Sequence, residues 1–388
     1  MVRPQKGTFV HNRESRAQPR DTKVANPNVW HRLREAVRAV ASSVLGWPFP
    51  ITIGSIALWT LVKNGFGVYP ASVLELDIAS ALPNAITLHP DAQYLMYSLA
   101  GPVLARILGV TSIQGWVVLH AIVLATTFVA LILTIRNRRG ERAARISAVT
   151  LCSSAVPAVL LQWVGSYDAF TFALGSFLVV VESWPALLLV SVGLGMFHFE
   201  QGAVIVGLLV LLGASRRWSR LQLGLTTVSG LFLGKLVLTV YLSGLGIGAT
   251  QARLQYMLGG PMPSGNYLQM ALNNFPTLLY SVLGGAWFWL IVAVLIVGRD
   301  WKDMRLVPVA LALGFLPALL THDQTRVYAM VTAPVLLYTA LLVDDHGSAD
   351  EVDLVVSTAL ISLVVAPAVI VWEGIARVPT FAPFLRRS

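Results

Sequence analysis

The chain is short of charge. Only 12% of its 388 residues are Asp, Glu, Lys or Arg, about half the roughly 25% of a soluble domain. It holds a single cysteine, Cys152, which excludes an internal disulfide and a cysteine-rich metal site. No glycine-rich phosphate loop, nucleophile elbow, zinc-ligand spacing or intramembrane serine-protease pattern is present. A reaction driven by a bound nucleotide is therefore not expected, and an energy source is sought in a lipid-linked or ionic substrate. No internal repeat and no soluble stretch long enough to fold alone stands out. Residues 1–41 hold no apolar run of the secretory kind.

What fills the chain is apolar. Hydrophobic residues make up 56% and the mean hydropathy is +0.70. Runs of about 20 apolar residues recur, the length that crosses a bilayer core. Eleven segments are expected: 46–63, 111–135, 146–164, 169–182, 185–197, 201–214, 221–247, 276–298, 306–321, 327–343 and 354–373. Several are short enough to be re-entrant. The fold class expected is an all-α integral membrane bundle of about 11 transmembrane helices. Residues 1–45 are expected as a basic, disordered cytoplasmic tail, 46–376 as the membrane domain and 377–388 as a short C-terminal tail.

Basic residues set the orientation. Nine lie in the tail against three acids, five arginines in 136–145, three in 215–220, and three basic residues in 299–305. With the N-terminus cytoplasmic, eleven crossings put all of these on one side, and the C-terminus outside. The chain then belongs in the plasma (inner) membrane as a multi-pass protein. The tail's charge suits anionic headgroups, and no nucleic acid is expected as a partner. The acidic loop 344–353 also falls inside.

The remaining connections fall on the opposite, external face, and they carry the ionisable residues. Such groups at span ends are costly unless they pair, meet water or do work. The first external connection, 64–110, is long. Its part from 92 to 108 has helical apolar spacing with one polar face, as an interfacial helix has. Asp77 lies upstream of it and Asp91 at its start, where Asp91 also suits an N-cap. Asp168 closes a tight turn and is itself a candidate helix cap. His198 and Glu200 share a four-residue turn, at a spacing that does not put two metal ligands on one helix face, so no metal is expected. His322, Asp323 and Arg326 form the densest cluster. Asp323 and Arg326 can make an i, i+3 ion pair, or Arg326 can present its five donors to a phosphate. Arg253 is a second phosphate candidate, in a loop rich in amides and aromatics that suit sugars. Lys235, inside an apolar segment, either snorkels or reaches the same anion.

A long first external loop with an acid and an interfacial helix, followed by many spans with polar groups on the external face, resembles the GT-C class of membrane glycosyltransferases. The resemblance implies transfer of a sugar from a polyprenyl-phosphate donor to a glycan or glycolipid acceptor, with membrane lipids as surroundings and no cofactor beyond the donor. It implies a first-loop carboxylate as catalytic base, here Asp77 or Asp91, with Arg326, His322, Asp323, Asp168, His198, Glu200 and Arg253 holding substrate. A lipid-linked oligosaccharide polymerase or ligase, a transporter or flippase, and a non-catalytic scaffold are the alternatives.

Overall fold

The computed structural model describes residues 29–82, 98–215, 217–244, 267–299, 301–321, 323–365, 368–371 and 374–377. These are overwhelmingly helical. The helices are α1 (Val29–Leu45), α2 (Phe49–Asn64), α3 (Ser72–Ala81), α4 (Ala100–Ile107), α5 (Ile113–Arg139), α6 (Glu141–Ser153), α7 (Val156–Gln162) and α8 (Asp168–Val180). They continue with α9 (Trp184–Leu212), α10 (Arg220–Gly244), α11 (Tyr267–Asn273), α12 (Phe275–Leu283), α13 (Ala286–Ile296), α14 (Lys302–Ala318), α15 (Gln324–His346) and α16 (Ala349–Ser362).

Among the described residues four helices are long and apolar enough to cross a membrane by length and composition alone, α5, α9, α10 and α15, of which α9 is broken at His198. The number rises to six if the bent pairs α6–α7 and α12–α13 each count as one span. Among the described residues there are thus four to six candidate spans where the sequence suggested about eleven. The reason is length: α8 has 13 residues, about 20 Å at 1.5 Å per residue, against a hydrocarbon core of about 30 Å. The segment expected at 354–373 is also not one span. Helix α16 ends at Ser362, and Ala368–Val371 pairs antiparallel with Gly374–Arg377. Its β-branched run, Val369–Ile370–Val371, suits a strand better than a helix. Within the expected disordered tail, Val29–Leu45 is helical. Val29, Leu33, Val37, Val40 and Val44 recur there at helical spacing, and Arg38 pairs with Asp350 at 3.2 Å.

Helix α15 is the axis of the bundle. All its residues from Gln324 to Val343 except Val327 are buried, and α6, α8, α9 and α14 pack around it. Its 23 residues span about 35 Å, so its two ends mark the two ends of the molecule. At one end Asp345 meets Arg139 at 2.8 Å and Asp344 meets Arg142 at 2.6 Å. Arg220 meets Asp303 at 3.1 Å. The arginine-rich turns therefore gather at one end, and the acidic residues in the last turn of α15 lie there because they neutralise them. The other end carries Asp323, Arg326 and Asp168. The two are called below the arginine end and the carboxylate end.

Helix α9 does not run straight. His198 breaks it with φ −161° and ψ 69°, and the chain folds back. A Cβ on Gly202 would lie 2.8 Å from the Leu194 side chain, eight residues away, whereas a straight helix would separate the two by about 12 Å. Glu182 before the helix and Ser215 after it line the same cleft as Arg138. So α9 is a helical hairpin entering from the arginine end, with His198 at its tip. Each arm has about 14 residues, roughly 20 Å, and is re-entrant in length. Helix α10 lies against the first arm so closely that a Cβ on Gly234 would sit 2.1 Å from the Val192 carbonyl oxygen, and one on Gly195 2.2 Å from that of Leu231. Only glycine permits this approach, the small-residue contact that membrane helices use.

Candidate functional site

The carboxylate end is organised by the turn after α7. Val164 N–H donates to Gly67 O and Tyr69 N–H to Val164 O, both at 3.0 Å. This short parallel bridge ties the segment after α2 to the turn. Gly165 has φ +104°, a conformation open to glycine. Its carbonyl accepts from Trp116 Nε1 at 3.0 Å. A Cβ here would lie 2.6 Å from Ser72 Oγ. The reversal delivers Tyr167 and Asp168 to the start of α8.

Asp168 is fully buried and Arg326 is 4% exposed. Arg326 Nε donates to Asp168 Oδ2, and Arg326 Nη1 donates to Asp323 Oδ2 at 2.9 Å. Ser166 Oγ donates to the same Asp168 oxygen at 3.1 Å. The guanidinium lies 4.8 Å from the Tyr167 ring centroid and 5.1 Å from that of Tyr69. Asp323 occupies the N-cap position of α15 but makes no side-chain cap hydrogen bond; its carboxylate goes to Arg326 instead. Asp168 is likewise not a cap: it is the first helical residue, and its carboxylate also goes to Arg326. The i, i+3 pair read from the sequence is present, and a second carboxylate from 158 positions away joins it.

This changes what Arg326 can do. One guanidinium between two carboxylates leaves the trio with a formal charge of −1, which repels a phosphate. Two atoms of the pair still lack hydrogen-bond partners among the described residues: Arg326 Nη2 and Asp168 Oδ1. Buried polar atoms in this state are uncommon and costly. Asn64 Oδ1 at the end of α2 and Gln201 Oε1 just after His198 are also buried acceptors without a hydrogen-bond partner among the described residues. A ligand bearing hydroxyl groups, each both donor and acceptor, satisfies such a set.

His198 reaches this cluster from the hairpin tip. Its Nδ1 meets Thr171 Oγ1 at 2.8 Å, and its ring stands edge-on to Tyr167 at 4.9 Å. Glu200 does not join. It faces α10, where its carboxylate lies 3.8 Å from Lys235 Nζ, and Lys235 sits over the Phe199 ring at 5.4 Å. The sequence set Glu200 among the substrate-binding residues and left Lys235 either to snorkel or to reach the anion; here the two face each other between α9 and α10. Asp91, Arg253 and His322 lie outside the described residues.

The first-loop acids divide by helical phase. Glu75 is 1% exposed, and Asp77 is exposed. Two residues place their side chains about 200° apart on a helix. Ser72 and Glu75 share the inward face, where Ser72 and the fully buried Trp116 of α5 both close on Gly165, while Asp77 faces outward. Sequence reasoning singled out Asp77 because no cap explained it, and it passed over Glu75 and His120. His120 Nδ1 meets Trp116 O at 3.0 Å, and its Nε2 has no hydrogen-bond partner among the described residues. Tyr69, Tyr167 and Thr171 were also missed. Nothing in their spacing distinguishes them; only the turn at Gly165 brings them together. Among the described residues no group of three or more His, Cys, Asp or Glu is placed to hold a metal ion.

Comparison of the chain with protein-family models, with curated proteins and with solved structures finds no match. Its class rests on its own features: a helical chain with several helices apolar enough to lie in a membrane.

Proposed function

We propose that the chain is a membrane glycosyltransferase that moves a sugar from a polyprenyl-phosphate donor to a glycan or glycolipid acceptor at the carboxylate end. The observation that carries this reading is the buried Asp168–Arg326–Asp323 trio with Asp168 Oδ1 and Arg326 Nη2 left without partners. An ion pair kept inside an apolar bundle is weak evidence of stability. One that also leaves a donor and an acceptor open is suited to sugar hydroxyls. On this reading Arg326 positions hydroxyls through the trio and does not carry the phosphate, whose charge the trio opposes.

In the reaction the acceptor oxygen attacks the anomeric carbon as the bond from that carbon to the phosphate oxygen breaks. The acceptor proton passes to a first-loop carboxylate, and polyprenyl phosphate leaves with its negative charge. Asp77, exposed beside this end, is the base on this reading, with Asp91 as second choice. A single displacement inverts the anomeric configuration. Removal of a general base slows a reaction by about 10²–10⁴-fold. The test is transfer from a panel of radiolabelled polyprenyl-phosphate sugars by the purified protein in nanodiscs. Asp77→Asn or Asp91→Asn is expected to lose activity in that range, and Asp168→Asn to raise KM. Absence of transfer from every donor sinks the reading, as does full activity in both first-loop variants.

The hairpin of α9 and the bent pairs favour a second reading. Broken and re-entrant helices line the paths of transporters. Donor-dependent flux of a lipid-linked or small anionic substrate into sealed vesicles, without any new glycosidic bond, decides for it.

A further inference from the structure

The arginine end holds a cleft that the reading above does not use. Its wall is formed by the last turn of α5, the end of α8 and the turn after α9. Ile135, Val179 and Val180 form an apolar floor, and Arg138, Glu182 and Ser215 stand at its polar side. Arg138 Nη1 donates to Val180 O. Its approach to Glu182 is a loose 4.0 Å, and the two side chains are 39% and 51% exposed. Arg139, on the same wall, is drawn to Asp345 at 2.8 Å. The Arg138 guanidinium therefore keeps donors that no carboxylate holds tightly.

The turn after α9 adds to this. Ser215 Oγ accepts the backbone N–H groups of Arg217 at 3.2 Å and Trp218 at 3.0 Å, which leaves its own hydrogen uncommitted among the described residues. In the same turn Trp218 Nε1 is a buried donor without a hydrogen-bond partner among the described residues, and Arg217 lies over the Trp218 ring at 5.5 Å. Donors in excess, an apolar floor and an indole at a bundle end are the chemistry of a phosphate beside acyl chains. Basic pockets between membrane helices take anionic headgroups in this way, and tryptophan favours that depth.

We infer that this cleft binds the phosphate of an anionic phospholipid from the leaflet on the arginine side, with Arg138 and the Ser215 hydroxyl as its contacts and the acyl chains outside the cleft, in the surrounding membrane. Glu182 swings to water as the lipid enters, because its loose pair with Arg138 is replaced by the phosphate. A free phosphate shares the headgroup chemistry but lacks the acyl chains that hold a lipid at the membrane-facing end of the bundle.

The test is native mass spectrometry of the whole protein from micelles supplied with phosphatidylglycerol, cardiolipin or phosphatidylcholine, alongside a titration with inorganic phosphate. The expected result is retention of the anionic lipids over phosphatidylcholine, and at least about tenfold weaker retention in Arg138→Gln, equivalent to about 1.4 kcal/mol. Ser215→Ala is expected to weaken retention less and to leave the fold intact. Equal retention of all three lipids overturns the inference, as does unchanged retention in both variants. Occupancy by inorganic phosphate with no preference among lipids overturns the lipid assignment too.

Discussion

The trio at the carboxylate end makes an ordered prediction about stability. Arg326→Met removes the cation of the trio and leaves Asp168, fully buried, beside Asp323. Breaking a buried pair from one side costs about 3–5 kcal/mol, and two stranded carboxylates put this variant at the upper end. Asp168→Asn keeps the shape and leaves Arg326 paired one-to-one with Asp323. Only a charge-assisted hydrogen bond is weakened, so the expected cost is about 1.5–3 kcal/mol. Asp323→Asn should cost least, below about 1.5 kcal/mol, because its side chain is 19% exposed and reaches water. Pairing Asp168→Asn with Arg326→Met should cost less than the sum of the two, since the second change removes what the first left uncompensated. The assay is equilibrium unfolding in mixed micelles with a rising fraction of denaturing detergent, read by tryptophan fluorescence. If Arg326→Met costs no more than Asp323→Asn, or the double variant is strictly additive, the trio is not the coupled unit described here.

Other predictions concern packing, sidedness and the charged clamp. Gly234→Leu should push α10 off the α9 hairpin, an overpacking cost of about 1–3 kcal/mol or more, seen as a lowered unfolding midpoint. Gly207→Ala, whose Cβ would meet nothing within 4 Å, should leave the midpoint unchanged. Cys152 is the sole cysteine and is buried, so Cys152→Ala gives a background for accessibility labelling. On it, Ser80→Cys and Ser219→Cys, both exposed in the structure, should react with a membrane-impermeant maleimide from opposite sides of sealed vesicles; labelling from one side would refute the two-ended arrangement. Asp345→Asn should destabilise more than Asp350→Asn, because the Arg139–Asp345 side chains are 14% and 11% exposed whereas Asp350 is 72% exposed and a surface pair contributes at most about 1 kcal/mol. Equal midpoints for these two variants would contradict that ranking.

Much of the layout was legible before any coordinate. Apolar runs marked most helices, since apolar length reports how much chain an apolar medium accepts. Arginine positions predicted that 136–145, 215–220 and 299–305 belong at one end, and Arg139–Asp345, Arg142–Asp344 and Arg220–Asp303 hold those turns together there. The pairs also explain the acidic 344–353 loop, which charge counting alone left awkward. Span count was less legible. A run of 13 apolar residues reads alike whether it crosses a bilayer or turns back within it, and hydropathy does not report direction.

Local sequence by itself determined the apolar character of the helices, the gathering of basic residues and the i, i+3 relation of Asp323 to Arg326, because each depends on neighbours a few positions apart. Tertiary structure alone decided that Asp168 completes the trio, that His198 is the tip of a folded-back hairpin, and that Glu200 turns to Lys235 instead of the site. It also decided that Glu75 is buried where Asp77 is exposed. These depend on helical phase and on contacts between segments 35 to 158 residues apart, where a buried charge finds its partner only once the chain has packed around it.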